Sequence, residues 1–464
     1  MRQTKYVVTQ FTFYDRTGIQ RMLEKQARKG WLLESIHPFA WKYRRIEPKK
    51  LHFAVTYFPK ASAFDPYPSR QEEFYREFCA HSGWILAASN AQLQVFYNEA
   101  EDPVPIETDA LMEVENIHKA AIKSYLTSYF LLLGCAVLQL SLMIYRLCVD
   151  FLGTLSSNAN LFTMLCWLML FAMEVTEISA YYLWRHRALK AAKLDGSFVA
   201  TRNTRPLQSL CLAVILIGFC ALLYSYHVEL AVAILTCVGL ILSVTLLMQP
   251  FSNWLKKKGI SREDNRTITI AVTVVLCIAV MVLSVKLMIS AVSERQEMAH
   301  EQVEYAHNGF FLTSYRDELP LTVEDLTGET DEGYSMYRDV KSSLVLDKLV
   351  ARQDKELGSS GPGLRYVVVE VKLPLLYEAC LRDFLKTYQG QTHADIFGNT
   401  YDPEFTAIDP KPWGADRAYQ LYYLEDSAPE YLLCYGNRIV NFDFSEEPTP
   451  EQMCQVAKVL GNVE

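Results

Sequence analysis

Five apolar runs crowded into the middle of a 464-residue chain constrain its fold more than any other feature. A helix crossing a hydrocarbon core of about 30 Å needs about 20 apolar residues. Residues 125–149, 161–184, 207–226, 230–248 and 267–292 each meet that length. Core helices of a water-soluble protein are seldom so long, and five in one block exclude that origin. The expectation is a multi-domain membrane protein with a bundle of about five spans at 125–292. Polar regions stand on either side of it, at 1–110 and 293–464, and a linker at 111–124 leads into the first span.

The formal charge of −8 describes no single part of this chain. Residues 1–124 hold 17 basic and 15 acidic side chains, a balance of +2. Residues 125–292 hold 13 and 7, a balance of +6, and residues 293–464 hold 15 and 31, a balance of −16. Basic residues cluster in alternate loops. Lys119 and Lys123 precede the first span, whereas 150–160 has no Lys or Arg. Arg185, Arg187, Lys190, Lys193, Arg202 and Arg205 follow the second span, and Lys256, Lys257, Lys258, Arg262 and Arg266 follow the fourth. Basic loops stay cytoplasmic. The expected topology is therefore a cytoplasmic N-terminus and an extracytoplasmic C-terminus in the cell membrane. Treating the third and fourth runs as one re-entrant element leaves that assignment unchanged. The opening residues MRQTKYVVTQFTFYD lack the apolar core of a secretory signal. Insertion is expected to be directed by an internal span.

Residues 1–110 contain a repeat. IQRMLEKQARK reads as an amphipathic helix that stops at Gly30 and is followed by Trp31 and a strand. EEFYREFCAHS repeats the pattern, with Gly83 and Trp84. Glycine suits the left-handed position that ends a helix, and a Trp opening the next strand can pack back on that helix. Extended runs precede both helices, so the unit reads β-α-β-β twice. The expected fold is a ferredoxin-like α+β domain with one antiparallel sheet and two helices on one of its faces. Phe11, Phe13, Tyr14, Trp41, Tyr43, Phe53, Tyr57 and Phe58 alternate with polar residues, as one buried sheet face or an exposed aromatic platform for a ligand or partner would. A balance of +2 is far from a nucleic-acid footprint, so no nucleic-acid partner is expected.

The pattern FTFYD, LEKQARKGWLLESI, WKYRRIEP, FAVTYFP, FYREFCAHSGWILAAS and LQVFYN resembles the DUF2812 family of bacterial membrane proteins of unknown function. Gly30-Trp31 and Gly83-Trp84 carry most of the resemblance, which covers roughly the first quarter of the chain. It implies genomic association with a PadR-like regulator, and with it a role in envelope or drug stress. It carries over no catalytic residue.

Within the second span, Glu174 and Glu177 stand at i and i+3, on one helix face. Ionised carboxylates in a bilayer cost several kcal/mol, so they face the bundle interior, pair or stay protonated. Gln139, at comparable depth in the first span, is a candidate donor to Glu174. Two readings stand: a proton- or cation-linked site, or interhelical hydrogen bonding that fixes the packing.

The acidic end, 293–464, alternates strand and helix signals. RYVVVEVKL, YQLYYL and YLLCYGNRIVNFDF read as strands, and the last contains a Gly436-Asn437 turn. LLYEACLRDFLKTY and EQMCQVAKVL read as helices. An α+β domain follows. Asp395, Asn399, Asp402, Glu404 and Asp409 fall in one turn-rich stretch but lack the EF-hand order, so a solvated acidic surface is the reading and no metal is expected. Cys380, Cys434 and Cys454 are odd in number and allow at most one disulfide. No hydrolase, zinc or P-loop motif occurs in a fitting context. Neither cofactor nor catalytic residue is expected. The favoured function is a non-enzymatic membrane protein coupling an outer sensory or interaction domain to a cytoplasmic domain. Its partners would be the bilayer and a protein. The alternative is a transporter or transporter subunit using Glu174 and Glu177.

Overall fold

The computed structural model describes residues 3–462 except 9–10, 13, 38–39, 202–203, 227, 308–309, 329, 331–332, 358–360, 389–392, 395–399, 402 and 424–425. Asp395, Asn399 and Asp402 therefore lie outside the described residues. Contacts divide the chain into two compact units. One comprises Met1–Leu140, Leu165–Ala221 and Ala231–Lys286, and the other Ser141–Met164, Leu222–Leu230 and Leu287–Glu464.

The first unit opens with the repeat. Its first copy is β1 (Thr4–Val7), α1 (Arg16–Arg28), β2 (Trp31–Ile36) and β3 (Trp41–Arg45). Its second is β4 (His52–Tyr57), α2 (Arg70–His81), β5 (Ile85–Asn90) and β6 (Leu93–Asn98). Each copy forms its own three-stranded antiparallel sheet, ordered β1-β3-β2 and β4-β6-β5. A register shift falls at the same place in both, between Leu33 and Ser35 and between Leu86 and Ala88. Both helices end as expected: Gly30 has φ +77° and Gly83 φ +80°. A Cβ at Gly30 would also stand 2.8 Å from the Ile46 carbonyl oxygen, so glycine is required twice over.

The expectation of one sheet with both helices on one face needs correction. Phe53, Val55 and Tyr57 of β4 face a core shared with α1, whereas Ala54 faces a second core with Cys79, Trp84 and Phe96 under α2. Alternate residues of a strand point to opposite faces, so the two helices cover opposite sides of the second sheet. The two tryptophans differ accordingly. Trp84 is buried and donates from Nε1 to the Val104 carbonyl at 2.8 Å. Trp31 is half-buried, with Lys5 5.6 Å and Arg45 5.0 Å from its ring centroid.

The stretch expected as a linker is helical. α3 (Ala110–Ala121) is capped by Asp109, whose side chain accepts from the backbone of Leu111 and Met112. Val114, Ile117 and Ala121 enter the main core. A π-helical turn, Ile122–Leu126, joins α3 to α4 (Thr127–Val149). Then follow α5 (Phe151–Leu155), α6 (Asn158–Asp195), α7 (Arg205–Tyr224), α8 (Val228–Lys257) and α9 (Arg262–Ala299). Five helices are long and apolar enough to cross a membrane: Ala110–Val149, Asn158–Leu194, Leu207–Tyr224, Leu230–Lys257 and Arg262–Ser293. Leu131, Ile217 and Val275 on them are exposed, which suits lipid and not water. These features are compatible with a multi-pass membrane protein. At about 1.5 Å per residue, the 38 residues of α6 measure about 57 Å, well beyond a hydrocarbon core.

The second unit is built on β-structure. β7 (Gln302–His307) and β8 (Phe310–Tyr315) form a hairpin, and α10 (Val323–Thr327) follows. β9 (Tyr334–Ser342), β10 (Leu346–Lys355), β11 (Leu364–Val371), α11 (Tyr377–Leu385) and the short pair β12 (His393–Ala394) and β13 (Thr400–Tyr401) come next. The chain ends with β14 (Glu404–Ile408), β15 (Arg417–Tyr423), β16 (Asp426–Tyr435), β17 (Arg438–Phe444) and α12 (Pro450–Val459). Seven strands make one antiparallel sheet, ordered β14-β15-β16-β17-β11-β10-β9. A buried core lies on each of its faces. Tyr366, Leu433, Val440 and Phe442 pack with Val456 of α12, and Val369, Leu432, Cys434 and Ile439 pack with Leu381 of α11. Leu152 and Leu155 of α5, from the turn between α4 and α6, complete this second face. Asn158 fastens the same turn, accepting from Leu344 N at 3.0 Å and donating to the Ser342 carbonyl at 3.3 Å. Cys380 and Cys434 are buried, Cys454 is exposed, and all three are free thiols.

Candidate functional site: acids and tyrosines where the repeat domain meets the helices

The i, i+3 pair of α6 belongs to a longer stripe. Glu174, Glu177, Tyr181, Trp184 and Ala188 are all buried and recur at spacings of three and four. That periodicity places them along one helix face. Tyr181, Trp184 and Ala188 enter the same core as Leu23 of α1, Val55 of β4 and Ile117 of α3. The repeat domain thus completes its core with a helix from the apolar block.

An aromatic cluster marks the contact. The Tyr14 ring lies 5.2 Å from those of Tyr181 and Trp184 and 6.5 Å from Tyr125. Tyr125, in the π-helical turn, meets Tyr129 at 5.1 Å and Tyr181 at 6.0 Å. His118 Nδ1 and the Tyr181 hydroxyl are 2.8 Å apart. Burial, and after it the charge of Glu177, holds the Tyr14 hydroxyl above the ordinary tyrosine range. The Tyr14 hydroxyl has no hydrogen-bond partner among the described residues.

The segment between α6 and α7 stitches acids and domain together. Thr204 Oγ1 and Gln208 Nε2 both donate to Glu177 Oε1. Three residues earlier, Thr201 Oγ1 donates to Asp15 Oδ1, and Thr201 N donates to Thr17 Oγ1 at 3.4 Å. Asp15 is the N-cap of α1 and accepts from Gly18 N at 3.0 Å. Trp184 Nε1 closes the loop on the Val199 carbonyl at 3.2 Å. Gln139, the donor expected for Glu174, makes no hydrogen bond to it among the described residues. Glu174 Oε2 is buried without a hydrogen-bond partner among them. Depth in a bilayer fixes only one coordinate of a side chain, and the groups that reach Glu177 come from Thr204 and the first turn of α7 instead.

A second joint lies on α8 and α9. Asn265, fully buried, donates from Nδ2 to the Phe64 carbonyl at 3.2 Å and the Ser252 carbonyl at 3.4 Å. Its Oδ1 accepts from Thr269 Oγ1 at 3.2 Å and Ser252 Oγ at 3.4 Å. Arg262 donates to the Lys60 carbonyl at 3.2 Å and pairs with Asp65 at 3.7 Å.

Nearby, Arg16 of α1 pairs with Glu113 of α3 at 2.7 Å. Glu107 Oε2 is buried without a hydrogen-bond partner among the described residues. Burial first, and the adjacent Glu113 charge second, push the Glu107 carboxyl up to about 7, against the opposing pull of Arg16.

Residues 16–131 match the DUF2812 family model, described as a protein of unknown function. The DUF2812 match runs through both Gly-Trp units, α3 and the π-helical turn into α4, so it contains Tyr125 and Tyr129 of the cluster. Glu174, Glu177, Tyr181 and Trp184 lie beyond the DUF2812 match. No curated protein and no solved structure matches the chain. Tyr181, Trp184 and Ala188 went unnoticed in the sequence, although their three-four spacing from Glu174 is written there. Among the described residues no group of three or more His, Cys, Asp or Glu is placed to hold a metal.

Proposed function

We propose that the chain is a non-enzymatic, five-span protein of the cell membrane that couples an outer interaction domain, 293–464, to a cytoplasmic DUF2812 domain. One observation carries this reading: the α4–α5–α6 segment belongs to both hydrophobic cores. Leu152, Leu155 and Leu161 pack in the C-terminal core, and Tyr181, Trp184 and Ala188 pack in the N-terminal one. Packed cores resist continuous deformation, so a displacement of this segment at one core must be felt by its packing partners in the other. The loops bonded to the DUF2812 domain, at Thr201 and Arg262, are the basic ones, and the turn packed into the acidic domain has no Lys or Arg. This pairing supports the cytoplasmic placement of the N-terminus.

Hydrogen exchange on the full chain tests the coupling. Leu155→Asp puts a charge into the C-terminal core. Protection should fall in β16 and β17 and also at 14–17 and 199–204. Loss confined to the C-terminal strands would refute the coupling. The unpartnered Glu174 oxygen favours one second reading, a proton- or cation-linked transporter. Liposomes containing the protein would then show a flux that Glu174→Gln abolishes at unchanged protein level.

A further inference from the structure

The outer face of β9 and β10 carries a cavity that neither core uses. Tyr334 and Ala351 turn to the core. Ser335, Tyr337 and Asp339 of β9, and Val350, Arg352 and Asp354 of β10, turn the other way. The register brings Ser335 opposite Asp354, Tyr337 opposite Arg352 and Asp339 opposite Val350. These six side chains and Tyr315 of β8 line an open groove of about 460 Å³, within the range of small-molecule sites.

The lining is ordered. His300 stacks on Tyr337 with ring centroids 4.9 Å apart, and Tyr315 meets Tyr337 edge-on at 5.3 Å. His300 Nδ1 lies 2.7 Å from Asp317 Oδ2, which also accepts from Arg338 N at 2.8 Å. Tyr337 is thereby fixed from two sides. The charges are of both signs. Asp354 accepts from Arg365 Nε at 3.1 Å and Nη2 at 2.8 Å, and Asp339 lies 3.3 Å from Lys341 Nζ. Arg352 has no carboxylate within 4.0 Å among the described residues. Its guanidinium, a planar donor fork suited to carboxylates, stands beside the tyrosine pair with a carboxylate-bearing residue at Asp354 on its own strand and at Asp339 diagonally across.

We propose that this cavity binds a free amino acid with an apolar or aromatic side chain. The ligand carboxylate takes the Arg352 fork, its ammonium takes Asp339, and its side chain lies against Tyr315, Tyr337 and Val350. Asp354 keeps its pair with Arg365; an anion alone would leave Asp339 facing it, and a cation alone would face Arg352. A zwitterion satisfies both signs.

This deepens the reading of residues 293–464 as an interaction domain, and it is tested apart from the coupling. Full-length protein in nanodiscs is titrated calorimetrically with L-phenylalanine and the other common amino acids, with 3-phenylpropionate, which lacks the ammonium, and with phenylalaninamide, which lacks the carboxylate. An apolar or aromatic amino acid should bind at least tenfold more tightly than either of the two analogues. Arg352→Ala and Tyr337→Ala should each weaken it about tenfold or more, while unchanged hydrogen exchange in β16 and β17 shows the sheet intact. Equal binding of 3-phenylpropionate would make this a simple anion site, and equal binding of phenylalaninamide a cation site; either overturns the proposal. So does absence of binding by every amino acid at millimolar concentration. Binding without any change in protection at 199–204 would uphold the site and count against the coupling.

Discussion

Replacing Glu107 by glutamine should remove a pH dependence from the N-terminal domain. The carboxyl has an ordinary value of 4.5 and is held at about 7 in the folded chain by burial and by Glu113. A folded-state value above the unfolded one means that the folded form keeps its proton longer. The stability tied to that proton is fully present below 4.5 and is lost as pH rises through 7. At 1.36 kcal/mol per pH unit the full displacement is worth about 3 kcal/mol, of which on the order of 2 kcal/mol falls between pH 5 and pH 8. That is about thirtyfold in the opening equilibrium. Hydrogen exchange of β4, α2 and α3 peptides in the full-length protein, corrected for intrinsic rates, reads it directly. Wild-type protection should fall about thirtyfold from pH 5 to pH 8, and Glu107→Gln should flatten the profile and exceed wild type at pH 8. A wild-type profile independent of pH, or a variant that retains the dependence, would refute the assignment to Glu107.

Asn265→Ala removes four hydrogen bonds from a fully buried joint, so residues 60–65 should lose about 2–4 kcal/mol of local protection while β16 and β17 are unaffected. Leu152→Ala opens a cavity in the C-terminal core and should cost that core about 2–5 kcal/mol, read as a lower denaturant midpoint for the exposure of Cys434 to alkylation.

What was legible in the sequence was local. Gly30 and Gly83 end helices because only glycine tolerates their backbone, and that requirement shows without any partner. Apolar length alone marks five helices. The apolar runs of β11, β16 and β17 mark strands. The rest depended on which surfaces meet. Nothing local says that Ala54 and Val55 serve two different cores, so one sheet with both helices on one side was the simpler expectation. Val114, Ile117 and Ala121 have helical spacing, but the core they enter shows only in the folded chain, and between a domain and the first span the stretch reads as a linker. Leu152 and Leu155 sit in a short turn whose role appears only when the sheet they cover is in place. The Arg352 cavity needs the β9–β10 register and Tyr315 of β8 beside it, and neither is written in the spacing of its residues.

Labelling of thiols in intact cells tests the central claim most directly. Cys454 is exposed on α12, and Glu77 is exposed on α2. A membrane-impermeant maleimide should modify Cys454 in intact cells, and should reach the cysteine of a Glu77→Cys variant only after permeabilisation, each site identified by mass spectrometry of its peptide. If both positions are labelled in intact cells, or neither is until the membrane is opened, five crossings between the N-terminal domain and the acidic domain are excluded.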